Sequence, residues 1–151
     1  MTVVRLDDGN LFIHSPCDID QDTKKAIERI GEVEFIVAPG SYHYLYIESA
    51  QMAFPNAETF ICPGIERKKP ELKFDWFLSD KPDKRWENDF DQVLIRGNKL
   101  IWEVAFHHKQ TRTLILVDLI ENMTDNTKEV DWALKFWWKL VFRMWKNDKS
   151  G

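Results

Sequence analysis

The run Val33-Glu34-Phe35-Ile36-Val37 constrains the fold more than any other stretch of the chain. It is short, apolar and rich in β-branched and aromatic residues, as a buried strand is. Ala38-Pro39-Gly40 ends it, because proline removes a backbone donor and glycine permits a sharp turn. The pattern from Ser41 to Ala53 predicts a helix, closed by Pro55-Asn56, and Glu58-Thr59-Phe60-Ile61-Cys62 predicts a further strand. The result is a strand-helix-strand unit with a loop at the C-terminal end of its first strand.

Other elements assemble around that unit. Val3-Val4-Arg5-Leu6 and Leu11-Phe12-Ile13-His14 flank Asp7-Asp8-Gly9-Asn10, residues that favour tight turns, and read as a hairpin. Residues 21–30 predict an amphipathic helix with Asp20 as N-cap, apolar Ala26, Ile27 and Ile30, and Gly31 as a left-handed stop. Residues 63–90, broken by Pro63, Gly64, Pro70 and Pro82, read as a long, partly packed surface connection. Val93-Leu94-Ile95, Ile101 to Phe106 and Thr113 to Val117 predict an antiparallel meander. Residues 127–146 give the strongest helical signal, with Asn126 as cap and Glu129 three residues later.

The composition narrows the classes of function. A chain of 151 residues that is 44% hydrophobic has enough apolar surface to fold, and its length suits one domain over 1–151. Nothing in Met1 to Asp8 reads as a secretory signal, and no apolar run reaches the ~18 residues of a membrane span, so a cytoplasmic protein is expected. Cys17 and Cys62 show no pairing or zinc-ligand spacing and read as reduced, buried thiols. A net charge of −4 disfavours nucleic acid as a partner. The six glycines are scattered singly, so no phosphate-cradling loop or nucleotide cofactor is indicated. Ser15, Ser41 and Ser49 lie in no Gly-x-Ser-x-Gly elbow and neither cysteine has a histidine beside it in sequence, so nucleophilic catalysis has no local support.

One resemblance adds to this reading. The stretch Val33 to Tyr44, continuing through Phe54-Pro55-Asn56-Ala57 to Cys62-Pro63-Gly64, then Arg67 to Asp75, Asp91 to Gly97 and His107-His108 with Thr111 to Leu119, resembles a family of unknown function in bacteria and plants that is classed as metallo-β-lactamase-like. The resemblance covers roughly residues 3–122 and implies an α/β (α+β) fold, a four-layer αββα sandwich shortened at its C-terminus. Active members of that superfamily hold one or two metal ions through a His-x-His-x-Asp-His motif. Placing its last histidine on His43 puts Ala38, Gly40 and Tyr42 at the other three positions, so most ligands are missing. A later histidine corresponds to His107 or His108, and the bridging aspartate to Asp118.

Two functions from different classes follow. One is a non-catalytic or binding protein that keeps the fold with a degenerate metal site. The other is a hydrolase using His43, His107 or His108, and Asp118 around a single zinc or iron ion, with bound water as nucleophile. The plainer reading of the same residues makes His43 a capping or packing group, His107 and His108 alternating strand-end residues, one inward and one solvated, and Asp118 a hydrogen-bonded or capping carboxylate. The Trp-rich helix 127–146 is apolar on most of its circumference, with Lys135, Lys139, Arg143 and Lys146 on a narrow basic line. Core cover plus a homodimer contact is the reading preferred for it, with a peripheral membrane contact as the alternative.

Overall fold

The computed structural model of the chain describes residues 1–97, 101–120, 132, 133 and 136. The chain divides into two compact units, Met1–Leu119 and Ile120–Gly151, and every element below belongs to the first.

Strands β1 (Thr2–Arg5) and β2 (Leu11–His14) form the expected antiparallel hairpin. Gly9, at φ +94°, takes the left-handed turn position that a side chain would resist. Asp20 caps α1 (Gln21–Glu28) by accepting the Thr23 N–H at 2.8 Å. The helix stops short of residue 30, and Gly31 is not the left-handed cap the sequence suggested, because its φ is not positive. Its role is close approach instead: a Cβ there would lie 2.8 Å from the Gly9 carbonyl oxygen.

The buried strand is β3 (Val33–Ala38), and it pairs in parallel with β2 on one side and with β4 (Glu58–Ile61) on the other. Between them, α2 spans Ile47–Ala53 only. Residues 41–46, expected to be helical, are turns held by the bonds His43 N–H to Gly40 O and Ile47 N–H to Tyr44 O. The stretch 63–90 holds more structure than a connection: α3 (Ile65–Lys68), and β5 (Trp76–Phe77) pairing with β4. The first sheet is therefore ordered β1-β2-β3-β4-β5.

The meander is observed as β6 (Phe90–Ile95), β7 (Glu103–His108) and β8 (Thr113–Ile115), an antiparallel sheet of order β6-β7-β8. The strand expected at 101–106 begins two residues later, and β8 stops at Ile115 rather than Val117.

Aromatic rings join the sheets. Phe12 of β2 lies 5.0 Å from Phe90 of β6 and 5.4 Å from Phe106 of β7. Trp86, from the stretch before β6, is 1% exposed and packs its indole against Phe12, Phe35 and Phe60 at 5.2, 4.8 and 4.7 Å. The core also takes Ile27, Ile47, Ala50 and Ile65 from the three helices.

The protein is thus of mixed α/β, α+β class with two sheets. Of the helix expected at 127–146, Trp132, Ala133 and Phe136 are helical, and the remainder lies outside the described residues, together with the homodimer and membrane readings attached to it. Among the described residues no helix is long and apolar enough to cross a membrane.

Candidate functional site

Strands β2 and β3 run in parallel, so the loops that leave their carboxyl ends emerge on one edge of the first sheet, where α/β folds place ligands. Ser15 directly follows β2. It is held at φ +52°, in the left-handed region that costs a non-glycine residue about 1 kcal/mol, while its N–H donates to Val37 O at 2.8 Å. Such strain persists where surrounding structure over-determines a residue, and it aims the Ser15 hydroxyl at the loop after β3.

That loop brings His43. Its Nδ1 lies 2.6 Å from Ser15 Oγ, and its Nε2 lies 3.1 Å from Asp118 Oδ1, in the segment after β8. A carboxylate oxygen only accepts, so Nε2 carries the hydrogen and donates to Asp118. Nδ1 then keeps its lone pair and accepts the Ser15 O–H. Ser15, His43 and Asp118 form one hydrogen-bonded chain drawn from three distant parts of the sequence.

Glu103, the first residue of β7, sets the position of Asp118. It is 0% exposed, and its two carboxylate oxygens accept the Val117 and Asp118 N–H groups, each at 2.7 Å. A buried carboxylate needs such partners. The strand itself is tied to the His43 loop by Val104 N–H to Pro39 O at 2.7 Å and Ser41 N–H to Trp102 O at 2.9 Å, with Gly40 and Glu103 paired between them. Gly40 is hemmed in at this junction: a Cβ there would meet Val117 Cγ2 at 3.1 Å, His43 Cδ2 at 3.4 Å and Asp118 Oδ2 at 3.8 Å.

Two buried side-chain atoms, His14 Nε2 in β2 and Asp118 Oδ2, have no hydrogen-bond partner among the described residues. Burial pushes the His14 imidazole down to about 3, so it is neutral at physiological pH. Cys62, which follows β4, is buried, and burial with the nearby Glu103 and Glu66 carboxylates pushes its thiol up to about 12, which removes it as a thiolate nucleophile. Cys17 is free and exposed, not buried as the sequence suggested.

Of the four residues singled out from the sequence, the structure unites two. His43 and Asp118 bond directly. His107 and His108 stand at the other end of β7, roughly 13 and 17 Å along the strand from Glu103. His107, with its side chain 44% exposed, faces Asp91 at 3.6 Å. His108 is buried, with Nδ1 2.8 Å from Thr111 Oγ1 and its ring 5.3 Å from Phe90. The His43 ring nitrogens are both engaged, by Ser15 and Asp118, and no cluster of three or more His, Cys, Asp or Glu among the described residues is placed to hold a metal.

Sequence reasoning missed Ser15 and Glu103. Ser15 has no elbow motif, so only its place directly after a buried strand marked it. Glu103 carried a readable signal, a lone carboxylate inside the apolar run Ile101 to Phe106, which a buried strand tolerates only with partners. Away from this centre, a cleft of about 580 Å³ lies between the edge strands β1 and β8, lined by Thr2 to Arg5, His108, Thr111, Thr113 and Leu114.

The model of a protein family described as Domain of unknown function (DUF4336) matches residues 1–135. No curated protein matches the chain. The family match corrects the resemblance to metallo-β-lactamase-like proteins: what it shows is membership of a domain family of unknown function over residues 1–135, and no relationship to that superfamily is shown.

Proposed function

The chain belongs to the DUF4336 family, and from that premise we propose that it is a hydrolase in which Ser15 is the nucleophile, His43 the general base and Asp118 the residue that orients the imidazole. The observation that carries this reading is the continuous chain Ser15 Oγ to His43 Nδ1 to Asp118 Oδ1, at 2.6 and 3.1 Å. Such constellations are recognised by geometry and role rather than by order in the sequence. In acyl transfer the Ser15 oxygen attacks the carbonyl carbon of an ester while its proton passes to His43 Nδ1. The proton then goes to the departing alkoxide, leaving an acyl group on Ser15. Asp118 accepts from Nε2 throughout, which fixes the tautomer and offsets the imidazolium charge.

The test is covalent as well as kinetic. An alkyl phosphonofluoridate should form a bond from phosphorus to Ser15 Oγ with loss of fluoride, detected by mass spectrometry of the peptide that carries Ser15. Hydrolysis of p-nitrophenyl acetate should fall about 100-fold or more in Ser15→Ala and His43→Ala, and substantially in Asp118→Asn, where the wrong tautomer is favoured. A Ser15→Ala protein that hydrolyses and labels like the wild type overturns the proposal.

A second reading, a binding protein without catalysis, is favoured by the cleft between β1 and β8, whose size suits a small ligand. It becomes the better account if neither the label nor Ser15-dependent hydrolysis is seen.

A further inference from the structure

We propose that Glu103 is the positioning residue of the relay, one buried side chain and its backbone fastening the segments that carry His43 and Asp118; the assignment rests on the hydrolase reading above. The two partners stand 75 residues apart in the chain, and Glu103 meets the segment of each by a different group. Its backbone forms an antiparallel bridge with Gly40, in the loop whose turn is closed by His43 N–H to Gly40 O at 2.9 Å. Its side chain accepts the Val117 N–H on Oε1 and the Asp118 N–H on Oε2, each at 2.7 Å. The approach of His43 Nε2 to Asp118 Oδ1, at 3.1 Å, is thus held from both sides by a single residue of β7.

The choice of a carboxylate follows from this task rather than from the core around it. Glu103 is fully buried, and Val104, Ala105 and Phe106 after it are buried apolar residues. A carboxylate in such surroundings is costly unless its oxygens are hydrogen-bonded. Both oxygens here are taken by N–H groups of the segment that carries Asp118. An amide of the same length offers one acceptor and turns a donor towards the second N–H, so only the carboxylate satisfies the pair. Fixing those two N–H groups fixes the backbone from which the Asp118 side chain springs, and with it the oxygen that meets His43 Nε2. In the reaction Asp118 must hold the Nε2–H tautomer, so that Nδ1 stays free to take the Ser15 proton. The Glu103 carboxylate touches neither Ser15 nor His43 and acts on them through Asp118.

The experiment is a double-mutant cycle on p-nitrophenyl acetate hydrolysis, with the wild type, Glu103→Gln, Asp118→Asn and the double variant, joined by NMR of the isotope-labelled His43 ring. We expect Glu103→Gln to lower kcat about tenfold or more with KM within about twofold, since a misplaced orienting group costs turnover rather than binding. In the Asp118→Asn background the same change should cost less than about twofold, because the group through which Glu103 acts is already gone. His43, held as the Nε2–H tautomer in the wild type, should become a mixture of tautomers in Glu103→Gln. A residue that only holds the fold would cost the same in both backgrounds. Turnover equal to wild type in Glu103→Gln, the same loss in both backgrounds, or lost turnover with an unaltered tautomer each overturns the role of Glu103 and leaves the Ser15 relay standing. A wild type whose hydrolysis survives Ser15→Ala overturns the relay and the role of Glu103 with it. Should Glu103→Gln fail to fold, the cycle is run with Glu103→Asp, whose shorter side chain falls short of the two N–H groups, and is decided by the same criteria.

Discussion

Gly40 shows how tightly single positions are set at the junction of the two sheets. Its flanking backbone is bonded to β7, and its missing side chain leaves room for Val117 and the His43–Asp118 pair. Gly40→Ala should cost about 1–2 kcal/mol in stability, since Val117 Cγ2 must yield by a few tenths of an ångström. It should cost relatively more in catalysis, about tenfold, because a small displacement of His43 spoils both of its hydrogen bonds. Thermal melting and ester hydrolysis on the same preparation check this, and equal activity would show that the junction does not govern the relay. Sequence reading reached His43 and Asp118 only through the metallo-β-lactamase resemblance, as separate ligand positions rather than as a hydrogen-bonded pair. It did not reach Ser15, since what distinguishes this serine is a positive φ and a histidine 28 residues away.

At the scale of elements, periodicity identified the strands and the hairpin, whereas boundaries moved wherever a tertiary contact intervened. The helix read from Ser41 begins only at Ile47, because residues 41–46 are committed to the loop that carries His43 and bonds to Trp102. The stretch 63–90 gave no periodic signal, yet it supplies Trp86, the ring at the centre of the aromatic cluster between the sheets. Trp86→Ala should therefore destabilise the fold by about 3–5 kcal/mol, on the scale of large-to-small changes in other cores. A urea titration followed by fluorescence or circular dichroism measures it, and a loss below about 1 kcal/mol would show that the cluster closes around the gap.

For the molecule as a whole, His14 ties stability to pH. Its imidazole titrates at about 3 when folded, against 6.5 as its ordinary value, so below pH 6.5 the unfolded chain binds a proton that the folded chain refuses. Its contribution is complete above about pH 6.5 and is lost as the pH falls towards 3. Urea midpoints should drop between pH 7 and pH 4.5 in the wild type and much less in His14→Leu, a window above the one in which the depressed Asp20, Asp83 and Asp91 carboxylates titrate. Identical slopes would show that His14 gains its proton without unfolding. The sequence by itself determined the mixed α/β class, the hairpin, the buried strand at Val33 and the meander, because each follows from local periodicity and turn chemistry. Only the tertiary structure decided the site. A hydrogen bond between residues tens of positions apart depends on strand order and parallel register, which place Ser15 beside His43 and carry His107 and His108 to the opposite end of their strand, and no local pattern encodes that geometry.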